Sequence, residues 1–125
     1  MFAVKILRFL RTLPRDIPTD ATVRQLAKSG PSISANYRSS RRARSRAEFV
    51  ARLGVVVDEA DETEHWLSVL RDSELASGPE LASLIDESGQ IRAIFVRSLT
   101  TARANSSNPR TSRSSNPQIL RSSNP

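Results

Sequence analysis

Apolar side chains in the first hundred residues recur every three or four positions, the period of an α-helix, in four separate runs. Phe2, Ile6, Phe9, Leu10 and Leu13 form one stripe with Lys5, Arg8, Arg11 and Arg15 largely opposite, which predicts a first helix over 2–13. Pro14 and Pro18 are expected to end it, because proline lacks an amide donor and disfavours helix in the residue before it. A second helix is expected from an N-cap at Thr19 or Asp20 to about Arg38, with Val23, Leu26, Ala27, Ile33 and Tyr37 on one face. Gly30-Pro31 lies inside it and is expected to kink or split it.

Ser45-Arg46-Ala47-Glu48 reads as a capping box, with the Ser side chain accepting an early amide and the Glu reaching back to the cap. Beyond it Phe49, Leu53, Val56, Ala60, Thr63, Leu67 and Leu70 alternate spacings of four and three, the seam of a left-handed helical packing. The seam runs unbroken through Gly54-Val55-Val56-Val57, which argues against a β-strand there and predicts a third helix of about 30 residues, roughly 45 Å long. Ser77-Gly78-Pro79-Glu80 then opens a fourth helix carrying Leu81, Leu84, Ile85, Ser88, Ile91, Phe95, Leu99 and Ala102. Gly89 weakens its middle by about 1 kcal/mol relative to Ala. Short polar links favour antiparallel neighbours, so the fold class is all-α, an up-down four-helix bundle over residues 1–104.

The pattern stops at Asn105. From 105 to 125 the only large apolar side chains are Ile119 and Leu120, among seven Ser, four Asn, three Pro and three Arg, and Ser-Ser-Asn-Pro recurs from Ser106, Ser114 and Ser122. A segment this polar buries too little surface to offset its ordering entropy, and is expected to be a disordered basic tail.

Composition narrows the chemistry. With no Cys there is no disulfide framework, thiolate nucleophile or zinc knuckle, and one His cannot furnish a multi-His catalytic metal site. Glu62 and His65 match a Glu-x-x-His di-iron motif, but such sites need two copies and further glutamates. Thr63 on the seam also turns both side chains outward, so no metal and no cofactor is expected. Trp66, beside the seam, fits core or interface closure better than base stacking. Charges interrupt every hydrophobic stretch, so no membrane span is expected. The Arg-rich, acid-free amphipathic start also has the form of a presequence, yet the same pattern suits a bundle helix, and a cytoplasmic location is the expectation.

Charge is blocked along the chain. Residues 1–57 carry 12 basic and 3 acidic side chains, a net of +9; residues 58–89 carry a net of −9, and the remainder +6. Arg38, Arg41, Arg42, Arg44 and Arg46, where helices 2 and 3 meet, are the densest cluster and the candidate site for RNA or DNA phosphates. The competing reading pairs them with the acidic block of a neighbouring helix, a second subunit or an acidic protein partner.

The run Ser29-Gly30-Pro31-Ser32-Ile33-Ser34-Ala35-Asn36-Tyr37-Arg38, then Arg42 to Phe49, Glu59 to Thr63 and Trp66-Leu67, resembles the four-helix-bundle protein family associated with 23S rRNA intervening sequences. Leu13-Pro14 and Gln25-Leu26 extend the likeness, which spans roughly residues 2 to 104. The resemblance implies a small antiparallel bundle, commonly a ring-like homopentamer, with no known catalytic activity. It also implies kinship with a retroelement accessory protein that binds a reverse transcriptase and nucleic acid through a basic surface. Ser39 and Ser40 depart from the acidic and small apolar residues often found there, Pro31 replaces a better helix former, helix 1 is a turn or two shorter, and the tail has no counterpart. The reading as a whole is a non-enzymatic homo-oligomeric bundle with a phosphate-binding corner.

Overall fold

The structure is a computed structural model that describes residues 1–106. Four helices follow one another: α1 (Phe2–Leu10), α2 (Ile17–Ser40), α3 (Arg46–Asp72) and α4 (Pro79–Ser106). α3 is the centre of the bundle, packing along both α2 and α4, while α1 lies mainly on α2 and touches α4. Asn105 and Ser106 belong to α4, and the rest of the expected tail lies outside the described residues. Among the described residues no helix is long and apolar enough to cross a membrane.

The expected seam is the core. Leu53, Val56, Ala60, Thr63, Leu67 and Leu70 are buried along α3, and helix runs straight through Gly54 to Val57. From α4, Leu81, Leu84, Ser88, Leu99 and Ala102 face them; from α1 come Phe2, Ile6, Phe9 and Leu10. At the centre Thr63 Oγ1 hydrogen-bonds Ser29 Oγ of α2 at 3.0 Å and donates to the Glu59 carbonyl oxygen at 2.8 Å. Ser29 with Thr63, and Ser39 with Arg52 further along, run in opposite directions on the two helices, which makes α2 and α3 antiparallel.

Three local expectations are corrected. α1 ends at Leu10, short of Leu13, because the Thr12 amide and hydroxyl both take the Phe9 carbonyl, at 3.0 and 2.6 Å, in a tightened last turn. α2 starts earlier than Thr19, at N-cap Asp16, whose carboxylate accepts from the Thr19 amide at 2.9 Å; that bond holds the Asp16 carboxyl below its usual range. Pro18 therefore opens α2 instead of closing α1, sitting in a first turn whose amide needs no helical partner.

Pro31 does not split α2, which is continuous to Ser40. The residue before it is Gly30, which has no Cβ for the proline ring to strike. The Ser32 hydroxyl donates to the Lys28 carbonyl at 2.6 Å, adding a bond where the proline disturbs the ladder. The buried face also differs from expectation: Ala27 is exposed, and Thr22, Ser29 and Gly30 are buried in its place. Small residues there admit α1, since a Cβ on Gly30 would stand 3.0 Å from Ile6 Cγ2.

That approach predicts opposite outcomes for two glycines in helix interiors. Gly30→Ala forces the fully buried Ile6 side chain to give by a few tenths of an ångström in a packed core and is expected to destabilise by about 1–3 kcal/mol. Gly54→Ala meets nothing within 4 Å and is expected to stabilise by about 0.5–1 kcal/mol. Urea denaturation midpoints of the two variants against the parent check both signs.

Candidate nucleic-acid interface

The turn between α2 and α3 is short because both flanking helix ends are satisfied locally. The Arg41 amide takes the Tyr37 carbonyl at 3.1 Å, Arg42 that of Ser39 and Ala43 that of Ser40, which closes α2 in a wound end. Ser45 then opens α3, its Oγ accepting the Glu48 amide at 3.0 Å. Only half of the expected capping box forms, since the Glu48 carboxylate is bound by Arg52 one turn on, a charged partner stronger than a cap amide.

Arg52 also ties the elbow together. Its Nη1 donates to the Ser39 carbonyl at 2.7 Å and lies 3.1 Å from Ser39 Oγ, so one guanidinium grips the last turn of α2 and the first turn of α3. Ser39, where the family resemblance places a carboxylate, thus meets Arg52 with neutral oxygens, and Glu48 supplies the negative charge. Sequence reasoning missed Arg52, although its spacing of four from Glu48 is the available signal.

Arg38, Arg41, Arg42 and Arg44 are exposed at this elbow, and none of them forms an ion pair among the described residues. The Arg41 guanidinium lies 5.9 Å from the centre of the Tyr37 ring, which also meets the ring of Phe95 of α4 at 5.1 Å. Burial pushes the Tyr37 phenol up, with Arg41 opposing it. Arg46 differs from the other four: it is half-buried at the first position of α3, with Nε and Nη2 covered and without a hydrogen-bond partner. It adds to the positive field of the elbow without being displayed.

Part of the acidic block is spent elsewhere. Arg92 of α4 pairs with Glu64 at 2.8 Å and stands 3.9 Å from Asp61, while Lys5 of α1 pairs with Glu87 at 3.0 Å. Glu64 raises the Arg92 pKa further by hydrogen bond and charge. The Glu64 carboxylate lies against α4 at Gly89, where a Cβ would come within 2.7 Å of Oε2 and the end of the Glu64 side chain would have to shift. Desolvation raises the Glu59 pKa, reinforced by Glu62 and Asp58 and opposed by Lys28.

Glu62 and His65 are exposed, and Trp66 is half-buried against the core with Nε1 donating to Glu62 at 3.4 Å and its ring edge-on to His65 at 4.9 Å. Among the described residues no three His, Cys, Asp or Glu side chains gather into a metal-ligating group.

The fold and elbow together define a small antiparallel helical bundle that displays an unneutralised arginine corner. The chain belongs to the 23S rRNA-intervening sequence protein family, which matches residues 1–97. A solved relative is a protein of unknown function from the S23 ribosomal protein family of Bacteroides thetaiotaomicron VPI-5482. It shares 30% identity over 78% of this chain and 91% of its own, with a TM-score of 0.71. No curated protein matches the sequence.

If Arg52 is the clasp of the elbow, Arg52→Ala is expected to cost about 1 kcal/mol, a charged hydrogen bond discounted for partial exposure. Amides of residues 41–45 are expected to exchange faster, while those of the α3 centre keep their protection. Hydrogen exchange resolved by residue reads both effects.

Proposed function

We propose that this protein is a non-enzymatic bundle that holds the phosphate backbone of RNA or DNA on the elbow between α2 and α3, without base selectivity. The observation that supports this reading is the set of four exposed guanidiniums, Arg38, Arg41, Arg42 and Arg44, with no carboxylate of the described residues paired to them. Guanidiniums offer phosphate two parallel donors each, and backbone contacts of this kind position a nucleic acid without reading its sequence. Arg46, with two covered and unsatisfied donors behind them, makes the corner more favourable for an anion. Assembly into a homo-oligomer, a pentamer by family resemblance, would multiply such corners on one particle.

A second reading rests on the acidic side chains left on α3: Asp58 and Glu62 are exposed and Glu59 lies between them, one helical turn along the same face. On that reading the elbow docks on the acidic stripe of a neighbouring copy or of an acidic protein, and nucleic acid plays no part.

Binding of a single-stranded oligonucleotide measured across a salt series separates the two. The variant Arg41→Ala/Arg42→Ala/Arg44→Ala is expected to lower the slope of log K against log salt by about 0.7 per lost phosphate contact. An unchanged slope removes the elbow as the site. Negligible oligonucleotide affinity at physiological salt, with an assembly mass that falls as salt rises, establishes the protein-docking reading instead.

A further inference from the structure

A second basic surface lies at the other end of α2. The last turn of α1, the residues after it and the first half of α2 enclose an open trough of about 570 Å³. Its floor is aliphatic, from Leu7, Leu10 and Leu13 on one wall and Val23 on the other. Leu7 is 42% exposed although it sits in mid-helix, which leaves apolar surface without a partner in the chain. Arg11, Arg15 and Arg24 stand on the rim with one acid, Asp20, which Arg15 already holds at 3.1 Å.

We propose that this trough is a docking groove for an acidic amphipathic helix of a partner protein, which lays two or three aliphatic anchors on the leucine floor and sets carboxylates against Arg11 and Arg24. The geometry suits a helix. Leu7 in the last turns of α1 and half-buried Leu13 just beyond its end leave apolar surface along the trough, on which an incoming helix can set anchors spaced three and four apart. Charge fixes the sign of the partner: Arg11 and Arg24 are exposed and have no ion pair among the described residues. Chemistry tells against nucleic acid, since no aromatic ring lines the trough to stack a base and a phosphate backbone has no use for its aliphatic floor. A free fatty acid fits less well, because an open trough leaves most of an acyl chain in water.

The site is independent of the elbow. Val23 and Arg41 are 18 positions apart on and just beyond one helix, roughly 27 Å, so either surface can be mutated without touching the other.

The test uses the full chain and three fluorescein-labelled 14-residue helical peptides. One carries two leucines four apart flanked by glutamates, one has the leucines replaced by glutamines, and one has the glutamates replaced by lysines. Anisotropy is expected to show the first binding at least tenfold more tightly than either control. Arg24→Glu and Leu7→Gln are each expected to weaken it tenfold or more, while Arg41→Ala/Arg42→Ala leaves it unchanged. Amide shifts on titration are expected at Leu7, Arg11, Val23 and Arg24. The proposal is overturned if none of the peptides binds, if the glutamine control binds as well as the leucine peptide, or if the shifts fall at the elbow. It is equally overturned if Leu7→Gln dissociates an oligomer of the parent protein, since the trough would then be an interface between copies, or if an RNA oligonucleotide displaces the leucine peptide from the parent and from the elbow variant alike.

Discussion

One polar contact in the apolar seam sets the alignment of everything else. A heptad seam of Leu, Val and Ala is nearly self-similar, so α2 could slide along α3 by two turns and bury much the same area. Thr63 opposes that slide, because its hydroxyl meets Ser29 in the aligned state, and sliding would part the buried Ser29 hydroxyl from this partner while Thr63 kept only its own-helix bond to Glu59. Unsatisfied polar groups in a core each forfeit about 1–3 kcal/mol, comparable to the whole gain from one buried aliphatic side chain. The register so fixed brings Arg52 beside Ser39, and that pairing gives the elbow its shape.

The same register decides which charges are consumed. Acidic residues in the middle of α3 face α4 and meet Arg92; Glu87 of α4 faces α1 and meets Lys5. The elbow arginines sit beyond the end of that stripe. From Asp58 to Arg46 is 12 positions of helix, roughly 18 Å, about twice the distance over which physiological salt screens a charge. Glu48 is nearer, but Arg52 neutralises it. The opposite charge blocks of the sequence therefore do not cancel within the chain, even though they are of equal size.

Much of this was legible in the sequence, and the parts that were not share a cause. The α3 seam and the α4 face read directly, because an apolar period over several turns is hard to mimic and every member of both sets is buried or half-buried. The five arginines stand out as a dense run of charge within nine positions, and four of them are exposed while Arg46 is half-buried. Errors arose where two rules compete at one residue. Pro18 can stop a helix or start one, and only Asp16, capping from outside the expected boundary, decides it. Pro31 breaks most helices, but a preceding glycine and a following serine hydroxyl together made room for it. Ala27 counted as core by polarity, whereas Thr22, Ser29 and Gly30 won the interface by size, since close approach of α1 rewards the smallest side chain. The trough between α1 and α2 was invisible for a further reason: it exists only once α1 ends at Leu10 and the chain turns back, leaving part of Leu7 exposed.

What α2 contributes is spacing more than communication. It is a single rod held along its length by α3, with a cationic elbow at its C-terminal end and the leucine trough at its N-terminal half. For a ligand at one end to alter affinity at the other, some element between them would need two packings of similar energy. The span between carries Leu26, Ser29, Gly30 and Ile33, all buried, with Gly30 against Ile6 and Ser29 bonded to Thr63. A second packing there would have to part Gly30 from Ile6 and break the Ser29–Thr63 bond. Were both proposed surfaces occupied, α2 would set the spacing of their ligands as a rigid adaptor does.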